Sequence, residues 1–109
     1  MKGLRLSRAA AGLMRALPAA VLDADHRILL TDVRSVDWQS LTFDGERHEM
    51  IVKLVGPDAL EVARRLVATL PGTEFAIPGH IVADIAARLA EKDEIYSVSV
   101  AIEALTVAD

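Results

Sequence analysis

Three histidines are the residues of this 109-residue chain best able to do chemistry, and each sits in a different local pattern. His80 follows Pro78-Gly79, a pair suited to the centre of a type II turn. Asp84 comes four residues later. On a helix starting at 80 the two side chains share one face, and the N-terminal N–H groups can hold an anion. On a strand they still share a face, but no anion site forms. His80 and Asp84 are therefore the candidate ligand-binding residues. The weight against them is that a lone histidine at the end of an element usually does no chemistry.

His48 lies in an alternating run and is expected on the core side. Its neighbour Glu49 then points to the opposite face, so the two cannot form an acid–base pair. His26 closes the run Asp23-Ala24-Asp25-His26. Two carboxylates and an imidazole suit a divalent cation, but the run lacks the ligand spacing of a cation loop, and a solvated loop is the better reading. No metal site is assigned. The chain has no cysteine, which excludes disulfides, thiolate metal sites and a thiol nucleophile. It has no Gly-rich phosphate loop, no paired-histidine helix and no serine elbow. No catalytic residue and no cofactor are assigned, and the reading leans against an enzyme.

The elements that must position these residues follow from periodicity. Leu6, Ala10, Leu13 and Leu17 keep helical spacing, with Arg5, Arg8 and Arg15 on the other side. Gly12 weakens such a helix by roughly 1 kcal/mol relative to Ala, and Pro18 stops it. Arg27 to Thr31 is a short strand. Val33 to Phe43 and Arg47 to Val55 form a hairpin around Asp44-Gly45, the strongest short turn signal. Leu41, Phe43, His48, Met50, Val52 and Leu54 then face the core. Val36, Trp38, Ile51 and Val55 face away and are the candidate interface residues.

Gly56-Pro57-Asp58 opens a helix with a stripe of Leu60, Ala63, Val67 and Leu70, widened by Leu66, and Pro71-Gly72 ends it. Thr73 to Ile77 is a short strand. Residues 80 to 92 fit either a helix or a strand, and their Ala, Arg, Glu and Lys content favours the helix. Ile95 to Val107 alternates as a half-buried antiparallel strand. The fold class is α+β, a two-layer antiparallel sheet of about four strands with two or three helices packed on it.

Charge divides the chain into a segment, 1–22, and a single body, 23–109. The segment carries four basic side chains and no acid, while the body carries 8 basic and 16 acidic ones. Three readings of residues 1–17 compete: a helix docked on its own body around Val36, Trp38 and Ile51, a helix on a membrane surface, and a secretory signal. Most amphipathic helices dock. The acidic body excludes nucleic acid as a general partner. Arg outnumbers Lys nine to three and there are 18 Ala, a usage typical of GC-rich bacterial genomes. The sequence is best read as a soluble, cytoplasmic, bacterial-type interaction or accessory module that forms a homo-oligomer. The alternative is a small-ligand binder or small enzyme with a pocket near His80 and Asp84.

Overall fold

The computed structural model describes residues 5–17, 26–94 and 96–109, with the side chains of 91–94 outside that description. It shows an α+β domain with α1 Arg8–Arg15, β1 Arg27–Gln39, β2 Asp44–Val55, α2 Ala59–Thr69, β3 His80–Glu94 and β4 Ser97–Ala108. A 3-10 turn, Leu70–Gly72, follows α2. The four strands form one antiparallel sheet in the order β1-β2-β4-β3. β4 therefore lies between β2 and β3, which run parallel to each other and are joined through α2.

The ladder sorts the sequence into two faces. Met50, Val52 and Leu54 of β2 pair with Ile102, Val100 and Val98 of β4. All six are buried, and they share one core with Leu13 and Leu17 of the N-terminal segment and Val62, Leu66 and Leu70 of the α2 region. The helices thus cover this inner face. Within the described residues 5–17 the basic segment docks on the body, but not on the expected surface. Leu13 and Leu17 join the inner core, not the Val36–Trp38–Ile51 side. Ser7 caps α1, its hydroxyl accepting the Ala10 N–H at 3.1 Å. Gly12 is a contact point, because a Cβ there would come within 2.5 Å of Ile77 Cγ2.

Four sequence expectations need correction. Residues 80–92 are strand, not helix: pairing with β4 outweighs their helical composition. Thr73 to Ile77 forms no strand beyond an isolated bridge between Ile77 and His80. The α2 stripe is rotated, so that Ala59, Val62, Ala63 and Leu66 are buried while Leu60 and Val67 are only partly so.

The hairpin turn is Ser40 to Phe43, not Asp44-Gly45. The Ser40 N–H donates to Phe43 O at 2.8 Å, and the Ser40 hydroxyl accepts the Phe43 N–H at 3.0 Å. A side chain closes this turn without any residue at positive φ. Leu41 and Phe43 are consequently exposed at its tip instead of facing the core. Pro78-Gly79 does form the expected turn, with Gly79 at φ 79° and the His80 N–H donating to Ile77 O at 3.1 Å.

Two stability outcomes follow. Leu66→Ala should cost ~2–5 kcal/mol in urea unfolding, and Leu60→Ala clearly less. Gly12→Ala should destabilise despite its helical propensity gain of ~1 kcal/mol, because overpacking against Ile77 costs ~1–3 kcal/mol. A raised melting temperature in Gly12→Ala would show that Ile77 yields freely.

Candidate functional site

His48 is fully buried on the inner face of β2. It sits between two hydroxyls, Ser35 Oγ on β1 at 2.7 Å from Nδ1 and Thr106 Oγ1 on β4 at 2.9 Å from Nε2. The register explains the chain of bonds, since His48 pairs with Ser35 on one side and is one row from Thr106 on the other. Burial pushes the imidazole below its ordinary pKa, nearby Glu46 opposes that, and His80 adds to it. A neutral imidazole has one donor and one acceptor, and two hydroxyls satisfy it in either tautomer.

This is not a nucleophilic triad. The second partner is a threonine hydroxyl, which cannot stabilise an imidazolium as a carboxylate would. The arrangement ties three strands together.

Beyond Thr106 the end of the sheet opens into a cleft of about 190 Å³ lined by Asp37, Asp44, Gly45, Glu46, His80, Thr106 and Ala108. His80 therefore does line a cleft, with its Nδ1 3.2 Å from Pro78 O, placed to donate to that carbonyl. Asp84 is not there. A register shift between Val82 and Asp84 places Asp84 opposite Leu105, on the other face of the sheet from His80, which pairs with Ala108. The shared-face geometry expected for either a helix or a regular strand is lost to this bulge. Among the described residues no group of three or more His, Cys, Asp or Glu is placed to hold a metal ion. Asp23 and Asp25 lie outside the described residues. His26 Nε2 accepts the Asp58 N–H at 3.4 Å.

The other face of the sheet is covered by no described helix. Its central rows read Val36–Arg47–Leu105–Asp84, Arg34–Glu49–Glu103–Ala86 and Asp32–Ile51–Ala101–Arg88, in the strand order β1-β2-β4-β3. Acids and bases interleave around Ile51 and Ala101, over a shallow groove of about 430 Å³. Val36, Trp38, Ile51 and Val55 all lie on this face, but not as one patch. Val36 and Trp38 stand at the hairpin end and Ile51 at the centre. Val55 stands at the far end with Pro57 and Tyr96.

Trp38 pairs with Gly45, and its ring lies against that glycine: a Cβ there would come within 2.6 Å of Trp38 Nε1 and into contact with Thr106 O. The glycine that resembles a turn residue in sequence is instead the floor under a tryptophan. Sequence reasoning missed Asp32, Arg34, Arg88 and Glu103. Alternation on β1 and β4 could have placed three of them, but Arg88 was hidden by the helical reading of 80–92.

No family model, no curated protein and no solved structure matches the chain. No helix of the described residues is long and apolar enough to cross a membrane.

The His48 chain carries a pH dependence. Because its pKa is depressed in the folded state, its contribution is fully present above the ordinary histidine value of about 6.5 and is lost as pH falls from there through the lowered native value. Thermal melts between pH 7.5 and 5 should show wild-type stability falling on the acid side. His48→Gln, which keeps hydrogen bonding without titrating, should flatten that slope. Equal slopes would remove the assignment.

Proposed function

We propose that the protein is a non-enzymatic interaction module of the cytoplasm that acts as a homo-oligomer, with the open sheet face as its contact surface. The observation that carries this reading is a face of four strands, covered by no helix of the described residues, whose charges are of both signs and whose centre, Ile51 and Ala101, is apolar. A face of one sign repels its copy; an interleaved face is compatible with it. Trp38 and Val36 add separate apolar content at the hairpin end, beyond the charged Arg34–Glu49–Glu103 row, and aromatic residues are common in interfaces.

The ligand-binding alternative is supported by the cleft beside His80. That cleft is smaller than the ~300–1,000 Å³ of ordinary small-molecule sites. It also lacks Asp84. Of the histidines at this end of the sheet, His48 is accounted for by the buried hydroxyl chain, and the His80 ring bonds its own turn carbonyl, Pro78 O.

Sedimentation of the full chain decides between these readings. The wild type should be a dimer at tens of micromolar, and Ile51→Asp should be a folded monomer with an unchanged far-UV spectrum. A wild type that stays monomeric throughout would overturn the proposal.

A further inference from the structure

The middle row of the open face has an internal complementarity that specifies how two copies would meet. It runs Asp32, Ile51, Ala101, Arg88 from one edge of the sheet to the other. The row carries an acid at one end, a base at the other, and a large and a small apolar residue between them. Ala101 is 8% exposed, so it forms a low point beside Ile51. Asp32, Ile51, Ala101 and Arg88 all line the same groove.

We propose that two copies pack open face to open face about a two-fold axis parallel to the strands and passing between β2 and β4. Asp32 of each copy then meets Arg88 of the other, and Ile51 of each seats over Ala101 of the other. This rests on the reading above that the open face is the self-association surface, and it adds the orientation and the contacts.

The geometry selects this axis. A rotation about the strand direction exchanges β1 with β3 and β2 with β4 while keeping each residue in its own row. The acidic end of the row therefore falls on the basic end, twice. The large central residue falls on the small one, also twice. A two-fold axis across the strands through the same row instead sets each residue on its own copy, Asp32 on Asp32 and Arg88 on Arg88.

Aligned sheets stack about 10 Å apart and at about 30°. Asp32 and Arg88 lie one and a half strand spacings from the axis, about 7 Å. The twist displaces them by about 4 Å from perfect register, which an arginine side chain spans. Within one chain the two residues stand three strand spacings apart, about 14 Å, too far to pair. The neighbouring row is where like charges meet: Glu49 and Glu103 already stand opposite each other within one chain, and each faces the other's counterpart in the partner, so four carboxylates gather there.

Sedimentation equilibrium on the full chain tests the arrangement through a charge swap. Asp32→Arg sets two guanidinium groups against each other, and Arg88→Asp two carboxylates. Each should weaken the dimer by about tenfold or more, since each contact occurs twice. The double variant Asp32→Arg/Arg88→Asp should recover to within about threefold of wild type. Because the two positions cannot touch within one chain, recovery can come only from contact between copies. Glu103→Gln should tighten the dimer.

A wild-type dimer whose single variants weaken without recovery in the double would overturn this arrangement while leaving the open face as the contact surface. The same holds for single variants that leave the dimer unaltered, and for a Glu103→Gln that loosens it. A wild type that never dimerises would remove both readings.

Discussion

Eleven antiparallel pairs between β2 and β4, from Gly45–Val107 to Val55–Ser97, join two hairpins that are otherwise separate in the chain. Without that ladder, β1–β2 and β3–β4 are two isolated ribbons, and a two-stranded hairpin is marginal in water. With it, Met50, Val52 and Leu54 come against Ile102, Val100 and Val98 and form the surface on which both helices bury their apolar sides. At roughly 25 cal/mol for each Å² of apolar surface removed from water, this central strip is where burial is concentrated. The His48 bonds to Ser35 and Thr106 cross the same strip at its polar end, binding β1 and β4 to β2 through side chains as well as backbone.

The same alternation that makes the inner face apolar makes the opposite face a lattice of charges around a small apolar centre. β4 is narrow there, with Ser97, Ser99 and Ala101, while its neighbours on β2 carry longer side chains at Ile51 and Lys53. A strip of short residues beside a strip of long ones gives the open face relief. Relief lets one surface prefer a single setting of its partner where a flat surface would accept several.

How much of this was legible depends on which signal each residue gave. The inner face of β2 and β4 was readable, because alternation over a dozen residues has only one consistent burial pattern. The hairpin itself was readable, but its turn was not. Asp44-Gly45 carries the stronger turn signal, while the true turn is closed by the Ser40 hydroxyl. The glycine is required by its cross-strand neighbour Trp38, a contact that local sequence does not contain. β3 was missed because its composition favours helix and the deciding pairs are with β4. The bulge after Val82, which parts Asp84 from His80, has no marker in the sequence. The docking of α1 was readable from its apolar stripe, but its partner Ile77 was not, since Gly12 shows its role only when another side chain is seen filling the space.

The order of strands in the sheet differs from their order of synthesis. β2 and β3 are both made before β4, the strand that lies between them. As the chain leaves the ribosome, β2 has β1 on one edge and an open edge on the other. β3, too, is made before the strand it pairs with. Unpaired strand edges of this kind are templates for wrong pairing. A nascent chain of this topology therefore passes through an interval in which the edge of β2 that β4 covers is open. Because β4 pairs with β2 on one side and β3 on the other, its arrival closes both edges in a single late step.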